Sequence, residues 1–154
     1  MTPYLTVDRG VDAMEFYQRA FGARELLRQM SPDGKLIHGR IRIGDSTVML
    51  SDAFPGASTR APSDIGGTTV TLHLYCPAVD VVWSRALQAG ATVIMALENQ
   101  FWGERYGQLR DPFGHHWSLS QRVRLSKAEM DAKRQEAMES FARQTHPGSK
   151  ARES

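Results

Sequence analysis

The sequence repeats itself once. Phe21-Gly22-Ala23 returns as Ala89-Gly90-Ala91, and Met49-Leu50-Ser51 returns as Ser118-Leu119-Ser120, so that Met49 and Ser118 are 69 positions apart. A unit that occurs only twice does not form a solenoid, because solenoids need three or more units to bury a continuous core. The repeat therefore predicts two half-domains that depend on each other, with a ligand cavity at the seam between them.

Composition restricts the classes of partner. The 154 residues suffice for one domain with a core and an appendage. A formal net charge of +2 predicts neither a nucleic acid nor a membrane surface as partner. Cys76 is the only cysteine, so an internal disulfide cannot form, which favours a reducing compartment. Because no secretory signal or membrane-spanning apolar run is visible, we expect a cytoplasmic protein.

The first copy is predicted to contain a strand, a helix and three further strands. Residues 2–7 alternate as a strand does, and apolar residues at helical spacing then form one stripe that ends before Gly22. Strands are expected at 25–30, 36–43 and 47–51. Residues 53–67 are rich in Pro, Ser, Gly and Ala, and they are interpreted as the connection between the halves.

The second copy repeats this order. It is predicted to have strands at 69–75, 92–95 and 115–120, with a helical stripe stopped by Gly90. Residues 98–108 are interpreted as an aromatic, irregular segment. Trp83, Trp117 and Cys76 are expected on the helix-facing side. Asp52 and Asp111 are interpreted as turn formers.

The fold prediction is α+β, with two tandem βαβββ modules at 2–52 and 69–120 forming an incomplete barrel around a cavity. These modules make one domain, residues 1–121. Residues 122–154 are predicted to be a C-terminal helical extension, opened by the capping box Ser126-Lys127-Ala128-Glu129 and running for roughly five turns. An apolar stripe on this helix, formed by Met130, Ala137, Met138 and Phe141, predicts packing onto the body or a partner subunit. The end beyond Gln144 is predicted to be disordered.

Several motifs support a family resemblance over residues 2–121. Thr2-Pro3-Tyr4-Leu5, Ile43-Gly44-Asp45-Ser46, Phe101-Trp102-Gly103 and Asp111-Pro112-Phe113-Gly114 occur in the order and spacing of one group. The chain thus resembles the vicinal oxygen chelate superfamily, which includes glyoxalase I, extradiol dioxygenases, fosfomycin-resistance enzymes and bleomycin-resistance binding proteins. Within it, the chain is similar to the PhnB-like branch. The resemblance implies a homodimer.

The resemblance also implies four positions for metal ligands. Family members that use a metal have His or Gln, Glu, His and Glu where this sequence has Thr2, Met49, Thr71 and Ser118. Hydroxyl and thioether groups do not hold a divalent metal as His and Glu do. We therefore predict neither a cofactor nor a metal. A divalent metal remains an alternative, held by His38, His73 and His116 in place of the usual set.

Strand alternation predicts which side chains line the cavity. The polar faces of the sheets and the aromatic loop supply rings for stacking, and Arg40 and Arg105 supply donors for a carboxylate or phosphate. The predicted ligand-binding residues are Tyr4, His38, Arg40, Met49, Thr71, His73, Tyr75, Trp102, Arg105, His116 and Ser118.

Two functions follow from these residues. The first is a metal-free protein that binds a small aromatic or anionic molecule. The alternative is a lyase, isomerase or dioxygenase of the same superfamily that depends on a metal or on histidine. Its catalytic residues stay unknown, with His73 and His116 as candidates for proton transfer. No carboxylate clearly orients either histidine, so a Ser-His-Asp triad is not predicted.

Overall fold

The computed structural model describes residues 1–145, and the predicted disorder at His146 and beyond lies outside them. The first module consists of β1 (Tyr4–Val7), α1 (Gly10–Phe21), β2 (Arg24–Met30), β3 (Leu36–Ile43) and β4 (Ser46–Asp52). A short helix, α2 (Pro62–Ile65), lies in the connection. The second module consists of β5 (Thr71–Tyr75), α3 (Val79–Ala89), β6 (Thr92–Asn99), β7 (Glu104–Arg110) and β8 (His116–Arg122). The extension forms α4 (Lys127–Thr145).

The two modules have the same topology and the same register. Their strand orders are β1-β4-β3-β2 and β5-β8-β7-β6, and in each sheet the first strand runs parallel to the last. Tyr4 lies opposite Met49 just as His73 lies opposite Ser118, which preserves the offset of 69 residues. The sheets stay open and do not join into a closed barrel. The α+β prediction of two βαβββ modules is therefore confirmed.

The interpretation of residues 98–108 as irregular was wrong. A turn at 100–103 separates β6 from β7, and β7 pairs with β8 along its whole length. The helix-facing side of β7 includes Gly107, and the ring of Trp83 on α3 lies where a Gly107 side chain would be, 2.7 Å from an ideal Cβ. Because Trp83 of α3 supplies the apolar group at this position, β7 lacks the apolar–polar alternation by which a strand is predicted from sequence. The interpretation of 53–67 as a plain connection likewise missed α2.

The core lies where the two helices meet. α1 packs against α3, and the helix-facing sides of both sheets cover them in one apolar cluster. Trp117 is 1% exposed, as predicted for a core residue. The ring of Phe21 lies 4.7 Å from that of Trp117, so aromatic side chains of one module pack against those of the other. The modules are thus joined through their helices.

A buried carboxylate, that of Asp111, ties the two modules together. It is 4% exposed and accepts hydrogen bonds from the Tyr17 hydroxyl at 2.7 Å and from the Trp117 indole at 2.9 Å. It also accepts from the backbone N–H groups of Phe113 and His115, each at 2.9 Å. A buried charge is tolerated when its oxygens are satisfied in this way. Asp111 is therefore a structural centre and not merely a turn former.

Each long helix of the repeat begins at a side chain supplied by the last strand of its module. The Asp52 carboxylate accepts from the backbone N–H groups of Gly10 and Leu36, both at 2.7 Å. At the equivalent place in the second module, the amide oxygen of Gln121 accepts from the N–H of Val79 at 2.9 Å. These acceptors satisfy N–H groups that a helix start leaves without partners. Asp52 therefore fixes where α1 begins.

Helix α4 starts at its predicted capping box. The hydroxyl and the N–H of Ser126 both donate to the Glu129 carboxylate at 2.7 Å, and the N–H of Glu129 donates back at 3.3 Å. The Arg134 guanidinium lies 5.7 Å from the centre of the Phe101 ring, so α4 contacts the turn between β6 and β7. Among residues 1–145, no helix is long and apolar enough to cross a membrane.

Replacing Asp111 with Ala should cost at least about 3 kcal/mol in the free energy of unfolding, since four buried donors lose their acceptor. Tyr17→Phe removes only one donor to the carboxylate and should cost roughly 1.5–3 kcal/mol. Urea unfolding followed by circular dichroism measures both values. Equal costs for the two variants would contradict the central role of Asp111.

The free energy of unfolding should fall at alkaline pH because of Tyr17. Burial first, and then the Asp111 carboxylate, raise the pKa of this phenol well above its ordinary value of 10.0. At a pH below the pKa that Tyr17 has in the unfolded chain, the protonated phenol makes its full contribution to the free energy of unfolding. As the pH rises from there towards the folded-state pKa, the unfolded chain loses a proton that the folded chain keeps. Stability then falls by up to about 1.4 kcal/mol per pH unit from this group.

Unfolding measured between about pH 8 and about pH 11 tests this. The control is Tyr17→Phe, whose stability should depend less steeply on pH above about 10 because it has no phenol at this position. Identical slopes for the two proteins would show that another group causes the loss.

Candidate functional site

All but one of the predicted ligand-binding residues fall into two groups, one at the polar face of each sheet. In the first module, the Tyr4 hydroxyl lies 2.9 Å from Nδ1 of His38, and Arg40 lies opposite Met49. In the second module, His73 is the centre of a separate group. Among residues 1–145, no hydrogen bond, ion pair or ring contact joins the side chains of the two groups. Within one chain the two faces are therefore separate surfaces.

The first-module face is basic. Arg24 lies opposite Arg42 in the β2–β3 pair, and Arg40 follows on the same side of β3. All three arginines are exposed. The ion pairs formed within residues 1–145 involve Arg9, Arg28 and Arg105 but none of these three. Their guanidinium groups are therefore available to an anion.

The second-module face is organised around the imidazole of His73. Nδ1 lies 2.7 Å from the Ser118 hydroxyl, and Nε2 lies 3.0 Å from the Ser120 hydroxyl. Both serines are buried, at 2% and 0% exposure. The two contacts hold the ring over β8 in one orientation. His73 is thus a fixed aromatic surface with hydroxyl groups beneath it.

Further rings extend this surface. Tyr106 stacks on His73 with the centres 5.9 Å apart and the planes at 18°, and Tyr75 meets His73 edge-on at 4.6 Å. Trp102 contacts Tyr106 at 5.5 Å. Tyr75 is 73% exposed and Trp102 is 45% exposed, so much of this ring surface faces solvent. We call His73, Tyr75, Trp102 and Tyr106 the aromatic face.

Arg105 is not part of either group. Because Tyr106 faces His73, its neighbour Arg105 faces the opposite side of β7, towards α3. There its guanidinium donates to both carboxylate oxygens of Asp80, at 2.7 and 3.0 Å. These hydrogen bonds lower the pKa of Asp80. The sequence prediction had treated Arg105 as a loop residue, for which strand alternation gave no direction.

Three residues of the aromatic face and its surroundings were not among the predicted ligand-binding residues. Ser120 continues the alternation of Ser118 along β8, and Tyr106 and Gln108 alternate in the same way along β7. The Gln108 amide donates to the Tyr106 hydroxyl at 2.8 Å, which fixes the position of that ring. Recognising β7 as a strand would have identified both of its residues.

The histidines do not converge. His38 contacts Tyr4 in the first module, whereas His116 is half-buried opposite Thr71 in the second. His115 also lies elsewhere, with its Nε2 2.9 Å from the carbonyl oxygen of Thr6. Within the described part of the chain, no three His, Cys, Asp or Glu side chains are grouped so that they could hold a metal ion.

The four positions that the resemblance implies for a metal do not fit one. Thr2 precedes β1. Met49 is half-buried and offers a thioether, and Thr71 offers an exposed hydroxyl. The Ser118 hydroxyl is already engaged by His73 at 2.7 Å. This donor set has no carboxylate or imidazole, the groups by which proteins of this kind bind a divalent metal.

The family model for the Glyoxalase/Bleomycin resistance protein/Dioxygenase superfamily matches residues 4–119, which include the first module and nearly all of the second. An uncharacterized protein of Mycobacterium bovis is 54% identical over 127 residues, covering 80% of this chain and 84% of that protein. Protein YjdN of Escherichia coli is 28% identical over 142 residues, covering 78% of this chain and 93% of its own length.

Solved structures share the fold. TioX from Micromonospora superposes with a TM-score of 0.64 at 29% identity, covering 80% of this chain and 98% of TioX. The PhnB protein of Bacillus cereus superposes with a TM-score of 0.62 at 21% identity, covering 79% of this chain and 98% of its own. The family match over residues 4–119 confirms the predicted resemblance to the superfamily, and the structural matches show that the PhnB protein shares its fold.

Prolonged dialysis against EDTA should leave the unfolding temperature unchanged, because the four positions offer no donor set that a stabilising metal requires. The protein should be purified without a metal-affinity tag, and its metal content should be measured by elemental analysis before and after dialysis. A content of about one equivalent per chain that is lost together with stability would contradict this expectation.

Proposed function

Since this chain belongs to the Glyoxalase/Bleomycin resistance protein/Dioxygenase superfamily, we propose that it binds a small planar aromatic molecule that carries an anionic group. Binding does not use the metal on which enzymes of the superfamily rely. The protein acts in the cytoplasm, where its single cysteine stays reduced.

The aromatic face is the observation that carries this proposal. A binding site of this type needs ring surface for stacking together with a few fixed polar groups. His73 and Tyr106 supply parallel rings, and each is fixed by hydrogen bonds to neighbouring side chains. Stacking on such rings contributes about 0.5–1.5 kcal/mol per pair beyond the area that is buried. Because the rings are already ordered, little side-chain entropy is lost on binding.

The arginines of the first module support the anionic part of the proposal. Arg40 lies beside Tyr4, His38 and Met49 on a face with no acidic partner for it within residues 1–145. A guanidinium binds a carboxylate through two parallel hydrogen bonds. A ligand with both a ring and a carboxylate would use the two faces together.

A homodimer is the arrangement that we propose for combining the faces. Within one chain the modules meet through α1 and α3, on the sides of the sheets opposite the polar faces. A two-fold symmetric dimer would set the basic face of one protomer against the aromatic face of its partner, and would do so twice. Each site would then contain side chains from both chains.

The second candidate function is proton transfer by His73. Both of its ring nitrogens lie within hydrogen-bond distance of hydroxyl groups, so it is positioned to exchange a proton. However, no carboxylate of residues 1–145 contacts the imidazole, and the Ser118 hydroxyl is buried beneath it, which keeps that oxygen away from a substrate. Binding of the ligand without turnover supports the first function, and chemical change of the ligand supports the second.

Tyr106→Ala should weaken binding of a planar aromatic acid roughly fivefold to tenfold, because one stacking partner is lost. The first probe is 2-naphthoate, titrated by calorimetry. Arg105→Gln is a matched control, since it changes the adjacent residue on the opposite face of the same strand. Affinity for 2-naphthoate that falls with Arg105→Gln and not with Tyr106→Ala would rule out the aromatic face.

Mixed dimers should show whether two chains build each site. Arg40→Gln and Tyr106→Ala should each weaken 2-naphthoate binding in the pure variant. Refolding the two together should restore tight binding at about a quarter of the sites, because half of the dimers then contain one intact pair of faces. No restoration, or a monomer by light scattering, would mean that each chain binds alone.

A further inference from the structure

The internal repeat creates two equivalent seams between the modules. At the first seam, the turn between β7 and β8 packs against the end of β1 and against α1. At the second, the turn between β3 and β4 faces the end of β5 and α3. Residues at the two seams correspond through the offset of 69, which the strand registers preserve. Most positions at one seam therefore have a counterpart at the other.

The first seam is filled by the chain itself. Phe113 is 4% exposed, with its ring 6.0 Å from that of Phe16 and the Arg9 guanidinium 5.1 Å from its centre. Next to it, Nε2 of His115 lies 2.9 Å from the carbonyl oxygen of Thr6 on the edge of β1. An aromatic ring beside a hydrogen-bond donor thus closes this seam.

The second seam has neither group. Its turn, Gly44-Asp45, is one residue shorter than Pro112-Phe113-Gly114 and carries no ring. Ser46 stands in the place of His115, and its hydroxyl lies 3.1 Å from the Asp45 carboxylate. Arg85 stands in the place of Phe16. The shorter turn leaves a groove of about 560 Å³ where the first seam is closed.

The walls of this groove suit an aromatic molecule. Apolar side chains line most of it, including Phe21, Ile43, Leu74, Ala78 and Val82. Its polar lining includes Arg85, Asp45 and His73. A volume of several hundred Å³ is usual for a small-molecule site. Arg85 provides the kind of cation that Arg9 places near the Phe113 ring. The carbonyl of Tyr75 corresponds to that of Thr6, which lies within hydrogen-bond distance of His115 at the first seam.

We propose that the second seam groove binds a small aromatic molecule that carries an N–H or O–H donor. The ring takes the place that Phe113 occupies at the first seam, and the donor bonds to the Tyr75 carbonyl as His115 does to Thr6. Neutral heteroaromatic compounds with a ring N–H match this description. This site borders the aromatic face at His73 and Tyr75, but the rest of its lining comes from the core side of β5, from α3 and from the turn between β3 and β4, and it includes neither Trp102 nor Tyr106.

Indole is the probe, and 1-methylindole, which has the same ring without the donor, is its control. In amide NMR spectra of the full chain, indole should shift Ser46, Ala78 and Val82. Binding of 1-methylindole should be about three- to tenfold weaker. Equal affinities for indole and 1-methylindole would overturn the role of the N–H donor. Shifts confined to Tyr106 and Gln108, or no shifts at all, would overturn the site.

Two variants that fill the groove provide an independent check. Val82→Phe places a ring in it from α3. Replacing Gly44 and Asp45 with Pro-Phe-Gly copies the turn of the first seam. Either variant should abolish the indole shifts while the dispersed spectrum of a folded chain persists, and Tyr106→Ala should leave those shifts intact. Indole binding that survives both fillings, or that is lost in Tyr106→Ala, would overturn the proposal.

Discussion

The buried carboxylate of Asp111 is the interaction on which the arrangement of the two modules depends. Its four hydrogen bonds connect a helix of the first module with a turn and a strand of the second. Around it, the rings of Phe16, Tyr17 and Phe113 pack in mutual contact. Each donor that is lost from such a charge costs stability, so the hydrogen bonds favour one relative position of the turn and the helix.

That position determines what each sheet presents to solvent. The helices cover one side of each sheet, and the two helix-covered sides meet in the core. The polar sides are left for other contacts, and they differ in chemistry. One carries arginines, while the other carries ordered rings above buried serines. Two modules of the same topology thus present two faces that are equivalent in backbone and complementary in side chain.

The sequence predicted a strand correctly where apolar and polar residues alternate clearly. It failed where a side chain from another element fills the space that an apolar residue of the strand would have occupied. β3, predicted at 36–43, was found at Leu36–Ile43 because its apolar residues alternate. β7 was missed because its helix-facing Gly107 leaves room for Trp83, which comes from α3. Without that strand, neither the position of Tyr106 on the polar face nor that of Arg105 on the helix-facing side could be derived. Asp111 was underestimated because turn chemistry alone already accounts for an Asp before Pro.

The sequence by itself determined the repeat, the two modules, the glycines that end α1 and α3, the capping box that starts α4 and the absence of a metal-binding quartet at the four implied positions. All of these depend on residue type and local spacing, which a linear chain contains in full. Only the tertiary structure decided that Asp111 joins the modules, that His73, Tyr106 and Ser120 belong to one surface, and that one seam is closed while the other is open. These features depend on which distant side chains meet, and that is settled by packing rather than by spacing along the chain.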